Sequence, residues 1–243
     1  MKAMILAAGY GSRLGHLSQR TPKCLVSVGG KTMLEIVIGR LVKAGVTEVV
    51  INLHHLANIV EEYIRSQNNF GITVHLSHET SLLGTGGGIK NARHLLDGTE
   101  SFFVHNADVY SEIDLMALRH RHELSQALVT LAVIDRQNSR PLLFTQSGLL
   151  CGHENQRAGT SVVFGSDPHP TPRAFTGIQI ISPRFFRFLD HHEGEFSSIT
   201  PFLEAAEQGE QVLSFDVSGS FWAGVDTPER LEELRALLER NHH

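Results

Sequence analysis

The chain has 243 residues, of which 41% are hydrophobic and 19% charged, with a formal net charge of −5. These are ordinary globular values, so a disordered or low-complexity chain is excluded, and the acidic balance argues against a broadly basic nucleic-acid-binding surface. Cys24 and Cys151 are too few for a disulfide framework, no apolar run approaches the ~20 residues of a membrane span, and the run 3–8 is too short for a secretory core. A cytoplasmic protein is expected, with neither membrane nor nucleic acid as partner. The 15 histidines are scattered without a metal-ligand motif, and His242 and His243 have the look of an appended tag.

Met4 to Leu6 reads as a buried strand followed by a glycine-rich loop. Leu34, Val37, Ile38, Leu41 and Val42 fall at helical spacing and predict a helix over 32–44. Thr32 is its N-cap, Glu35 completes a capping box, Gly45 closes it, and Gly29-Gly30 is the turn leading in. Strands are predicted over 48–52, 72–76, 102–104 and 128–134, and helices over 57–66, 87–96 and 115–124. This alternation predicts an α/β fold, a Rossmann-like and mostly parallel sheet with helices on both faces. The second half changes texture. A hairpin is expected over 142–144 and 149–150 around Gly148, and a mobile loop over 156–172. A strand over 178–181, helices over 183–189 and 201–208, a strand over 212–217 and a helix over 227–240 follow. No repeat or linker is visible. Residues 1–243 are read as one domain, with a core over 1–135 and, over 136–243, a small inserted β-rich lobe and the C-terminal helix.

Ligands of an open parallel sheet sit beyond the carboxyl ends of its strands. After the first strand come Ala8, Gly9, Gly11, Arg13 and then Lys23. Glycines uncover backbone amides for a phosphate, and the two cations add charge; the plainer alternative is a tight turn with solvated side chains. The cluster from Gly84 through Thr85, Gly86 and Gly87 to Gly88 suits a nucleobase or ribose passing close by, or a flexible loop. Asp108 ends a hydrophobic strand, either as a helix cap or as a Mg²⁺ ligand beside phosphates. Gly9-x-Gly11-x-x-Leu14 lacks the third glycine of the dinucleotide fingerprint, which disfavours an oxidoreductase, and Gly30-Lys31-Thr32 is not a P-loop.

Leu6-Ala7-Ala8-Gly9-x-Gly11-x-Arg13-Leu14, followed by Pro22-Lys23, resembles the signature of the sugar-1-phosphate nucleotidyltransferases. The glycine cluster, Asn106-Ala107-Asp108, Phe175-Thr176-Gly177-Ile178 and Trp222…Thr227-Pro228-Glu229 fall in that family's order, across nearly the whole chain. Length and the 79–89 stretch are most similar to the branch of N-acetylmuramate-1-phosphate uridylyltransferases, with small heptose- and mannose-1-phosphate guanylyltransferases close by. The resemblance implies transfer of a nucleoside monophosphate from a nucleoside triphosphate, UTP or GTP, to a sugar-1-phosphate, with Mg²⁺ as cofactor, by a monomer or homodimer. It implies Arg13 and Lys23 as catalytic cations, and Ala8, Gly9, Gly11, Glu79, Gly84, Thr85, Gly86 and Asn106 as nucleotide-binding residues. Gly87, Thr176 and Gly177 would meet the sugar, and Asp108 the metal.

The sequence departs from the family at two places. The pattern Trp-x-Asp-x-Gly-Thr-Pro carries a second metal aspartate, and here that position is Gly224, with Asp226 where the family has glycine. Asp226 is read either as a second metal ligand or as a helix N-cap. A lysine expected near Phe175 is absent, and Arg173 is the nearby cation. Loss of the aspartate leaves an alternative open: a sugar-nucleotide sensor with weakened catalysis.

Overall fold

The computed structural model describes residues 1–98, 100–165 and 167–241; His242 and His243 lie outside the described residues. Strand β1 (Lys2–Leu6) leads into 3₁₀ segments at Ser12–Gln19 and Lys23–Leu25. Strands β2 (Ser27–Val28) and β3 (Lys31–Thr32) then pair as a hairpin that turns on Gly29 and Gly30, at φ 57° and 78°. Two successive positive φ values are what a two-residue hairpin demands, and glycine meets them without strain. Helix α1 (Met33–Lys43) opens with the expected capping box. The Glu35 N–H donates to Thr32 Oγ1 at 3.2 Å, and the Thr32 N–H donates to Glu35 Oε2 at 2.7 Å. The first half continues through β4 (Glu48–Leu53), α2 (Ala57–Ser66), β5 (Thr73–His78), α3 (Gly84–Asn91), α4 (Arg93–Leu96), β6 (Phe102–Asn106), β7 (Val109–Ser111), α5 (Leu115–Ser125) and β8 (Val129–Ile134). The second half holds β9 (Leu142–Phe144), β10 (Leu150–Asn155), β11 (Thr160–Val163), β12 (Thr171–Ile181), a 3₁₀ turn at Pro183–Phe188, α6 (Ile199–Glu207), β13 (Val212–Asp216), β14 (Trp222–Gly224) and α7 (Pro228–Asn241).

Ten strands join one mixed sheet whose central part is mostly parallel. Its central order is β5-β4-β1-β6-β12-β8-β13, and β12 alone runs against its neighbours there. Ala3, Met4 and Ile5 of β1 are all fully buried, as a strand covered on both faces must be. Side chains alternate between faces. Ala3 and Ile5 meet Val37 and Leu41 of α1, Ile64 of α2 and Leu118 of α5. Met4 joins Phe102 and Val104 against Phe185, Phe186 and, on α6, Phe202. A third cluster packs Leu231, Leu234 and Leu238 of α7 onto Leu14, Val28 and Met33, bracing the base of the loop after β1.

Two expectations need correction. Residues 156–172 are not all loop: Thr160–Val163 forms β11 and pairs with β10, turning on Gly159 at φ 62°. All four β11 residues are exposed, so no alternation of apolar side chains marks the strand; backbone pairing and β-branched residues carry it. The glycine cluster is not a loop ahead of a helix either. Helix α3 starts at Gly84, and the glycines are its first turns.

Candidate active site

The parallel strands deliver their carboxyl ends to one edge, and a cavity of about 300 Å³ opens there. Its lining includes Ala8, Gly9, Gly11, Arg13, Lys23, Gly84, Thr85, Asn106, Asp108 and Asp226. Nothing lies within 4 Å of where a Cβ on Gly9 would stand, so the backbone there is open to a ligand. Gly11 sits at φ 62°, and a Cβ on it would meet the Lys23 stem at 3.3 Å. Glycine therefore lets that stem lie against the loop.

Arg13 Nη1 donates to Asp226 Oδ2 at 2.6 Å, and Arg230 Nη1 donates to Asp226 Oδ1, also at 2.6 Å. Lys23 Nζ donates to Asp108 Oδ2. The two cations at the cavity thus stand paired with the two carboxylates. Asp226 is not the cap of α7: Thr227 Oγ1 accepts the Arg230 N–H at 3.4 Å and holds that position. Gly224 lies beside Asp108, since it pairs with Val109 and the next N–H, of Val225, donates to the Asp108 carbonyl at 2.8 Å. Cys24 also lines the cavity, and burial pushes its thiol up to about 12, so it stays protonated.

Several expected site residues stand behind the wall rather than in it. Glu79, 6% exposed, accepts from Asn52 Nδ2 at 2.7 Å and from the Leu83 N–H at 3.0 Å. Asn52 Oδ1 in turn accepts the Ala7 N–H at 2.8 Å. One chain of hydrogen bonds therefore ties the loop after β1 to the start of α3. Asn52, which lines the cavity, was not singled out from sequence; its signal is a buried amide ending an apolar strand. Gly86 and Gly87 are buried beneath Phe196 and the Gly194 carbonyl, where a Cβ would come within 2.4 Å and 2.9 Å. Thr176 Oγ1 donates to the Ala132 carbonyl at 2.8 Å inside the sheet. Gly177, at φ 84°, leaves room for the Asn106 amide, 2.6 Å from where its Cβ would be. Neither Thr176 nor Gly177 lines the cavity. Arg173 lies 3.8 Å from both Asp135 and Asp216 and is no free cation.

A second depression of about 390 Å³ adjoins this edge, lined by Arg136, Trp222, Gly224, Arg230 and Arg240. The Arg136 guanidinium lies 4.4 Å over the Trp222 ring and has no ion pair among the described residues. Burial, and then the nearby Arg230 charge, lower its pKa from the ordinary value. These arginines were missed from sequence because nothing local joins residue 136 to residue 230.

Residues 2–144 match the family model described as "Nucleotidyl transferase". The chain belongs to the nucleotidyl transferase family. This nucleotidyl transferase is 31% identical over 243 residues to the N-acetylmuramate alpha-1-phosphate uridylyltransferase of Neisseria meningitidis serogroup B, covering 98% of each chain. It is 30% identical over 235 residues to mannose-1-phosphate guanyltransferase beta-B of Xenopus laevis, where the match covers 94% of this chain and 62% of that longer relative. Its relatives are thus sugar-1-phosphate nucleotidyltransferases. Among solved structures it is similar to HddC from Yersinia pseudotuberculosis complexed with GMP-PN, with a TM-score of 0.76 at 22% identity over 97% of this chain and 98% of that one. A UDP-glucose pyrophosphorylase complexed with UDP-glucose gives 0.81 at 16% identity over 99% and 98%. Those two likenesses concern the fold. Among the described residues no helix is long and apolar enough to cross a membrane.

Proposed function

We propose that this nucleotidyl transferase moves a nucleoside monophosphate from a nucleoside triphosphate, UTP or GTP, to a sugar-1-phosphate. The observation that carries the reading is the convergence of the Gly9 backbone, Arg13, Lys23 and Asp108 on one cavity at the sheet's carboxyl edge. A sugar-phosphate oxygen attacks the α-phosphorus, the bond to the β-phosphate bridging oxygen breaks in line, and its electron pair leaves with pyrophosphate. The attacking phosphate has a second pKa near ~6, so at neutral pH it is already largely ionised and no general base is needed. The obstacle is one anion approaching another, and catalysis rests on positioning and charge neutralisation. Arg13 steadies the triphosphate and the departing pyrophosphate, and Lys23 the α-phosphate. The Gly9 and Gly11 amides receive phosphate oxygens.

The donor set fits magnesium at one carboxylate, Asp108, with phosphates and waters completing the shell. Asp226 is held by two guanidinium groups and position 224 carries no carboxylate. When bound, Mg²⁺ supplies charge neutralisation across the phosphates. The groove of Arg136, Trp222 and Arg230 fits the sugar-phosphate, since the Trp222 ring holds the Arg136 guanidinium in place and no ion pair neutralises it among the described residues. The lobe and long β12 complete a sugar-binding half over 136–243, beside a nucleotide-binding core over 1–135. Two buried free cysteines suit a reducing compartment, and we propose a cytoplasmic monomer or homodimer.

Gly224 favours a second reading, a sensor that binds sugar nucleotide without turnover. Pyrophosphate release with Mg²⁺, across nucleoside triphosphates and a panel of sugar-1-phosphates, decides between them. Release with a matched pair is expected. Nucleotide binding with no release from any pair would make the protein a sensor.

A further inference from the structure

On the face of the sheet that carries α6, the segment after the Pro183–Phe188 turn brings two consecutive histidines to Glu204. His192 Nε2 lies 2.9 Å, and His191 Nε2 3.2 Å, from the same Glu204 Oε2. One ligand atom from each residue falls within 4.8 Å of the others. A tetrahedral dication with bonds of ~2.0–2.1 Å to nitrogen and oxygen sets its ligand atoms roughly 3.3 Å apart. Both nitrogen–oxygen distances are near that value, and the ligand nitrogens lie within 4.8 Å of each other, so the three side chains already converge on one place.

The cluster is also held in place from behind. The His192 side chain is 15% exposed, its ring stacks on Phe196 with centroids 4.7 Å apart, and its carbonyl accepts from Lys90 Nζ at 2.7 Å. Glu204 rides on α6, whose Phe202 and Ala205 are anchored in the core. The His191 side chain is 60% exposed, which leaves a path for an ion and a place for water. Ligand type, count, spacing, support and access are the features that mark a built metal site.

We propose that His191, His192 and Glu204 bind a transition-metal dication of the zinc type. Two neutral imidazole nitrogens and one carboxylate oxygen are the protein ligands, and water is the fourth. The same segment covers α3. The Gly86 N–H donates to the Phe196 carbonyl at 3.0 Å, and the Phe196 N–H donates to the Leu83 carbonyl at 3.0 Å. Gly84 and Thr85, the two residues before Gly86 in that helix, stand in the cavity wall. A bound ion therefore ties α6 to the segment that pins this wall, and it does so whatever reaction the cavity performs.

The test titrates the metal-free full-length protein with Co²⁺, whose visible absorption intensifies in four-coordinate sites, and then displaces it with Zn²⁺. One high-affinity equivalent is expected in the wild type. His191→Ala and Glu204→Gln should each weaken that site about tenfold or more. Zn²⁺ should raise the melting temperature of the wild type and not of His191→Ala. His191 is exposed, so its variant keeps the fold and remains informative if Glu204→Gln does not. No intense cobalt band, or a band and a Zn²⁺ melting shift unchanged in both variants, would overturn the site.

Discussion

At the end of β1, a Cβ on Gly9 would meet no atom within 4 Å, whereas at the start of α3 a Cβ on Gly86 would stand 2.4 Å from the Phe196 ring. Both glycine clusters lie at the carboxyl edge of the sheet and read alike in sequence. The first keeps a space empty, and the second lets the protein fill one. A glycine beside a site therefore tells of close approach, and only the structure says whether a ligand or the chain itself approaches.

The largest expected effect falls on the open side. Arg13→Ala should cost on the order of 10²–10³ in turnover, as loss of a transition-state charge partner does. Its melting temperature should hardly move, because the Arg13 side chain is 72% exposed and Asp226 keeps its pairing with Arg230. Near-wild-type pyrophosphate release would remove Arg13 from the role proposed. Gly9→Ala should fold normally yet lose about 10² in turnover, since small misplacements at the reacting phosphate are costly. A drop in its melting temperature as large as that of a Gly86 variant would erase the contrast between the two clusters.

Gly86→Ala should instead lose about 1–3 kcal/mol of stability by overpacking against Phe196. For a chain of this size that lowers the melting temperature by about 2–4 °C per kcal/mol. Truncating Phe196 to Ala alongside it should recover part of the loss, and a double-mutant cycle measures the coupling. Strict additivity would mean the ring is not what excludes a side chain at residue 86.

A change of pH tests the surrounding fold rather than either cluster. Burial pushes His105, at the same sheet edge, and His122, on α5, from 6.5 down to about 4, so both stay neutral in the fold. Unfolded, each takes up a proton below about 6.5. The stability due to this difference is complete above pH 6.5 and is lost progressively as pH falls toward 4. Melting temperatures between pH 7 and 4 should decline along that window; a flat profile would mean that both histidines titrate normally within the fold.

The first half of the fold was legible because its signals are local. The Thr32–Glu35 box, the Gly29-Gly30 turn and the apolar spacing of α1 each lie within one element. The cavity was legible in part, since Ala8, Gly9, Gly11, Arg13, Lys23, Asn106 and Asp108 sit at strand ends where a parallel sheet gathers them. What stayed hidden depends on partners distant in the chain. Phe196 closing over Gly86, Asp226 meeting Arg13 and Arg136 lying on Trp222 leave no local periodicity. Strand β11 stayed hidden for another reason: it buries no side chain.

Strand β12 begins beside the lobe, where Thr171–Arg173 pairs with β9, and ends in the core, where Ile178–Ile181 pairs with β6. Gln179–Ile181 also pairs with β8 on its other side. The protein therefore has no seam at which a protease could release either half intact. A cut between residues 135 and 171 should leave two fragments that hold together without a covalent bond, each depending on the other. Separated, the N-terminal fragment would carry β6 as a bare edge, open to pairing with its own copies.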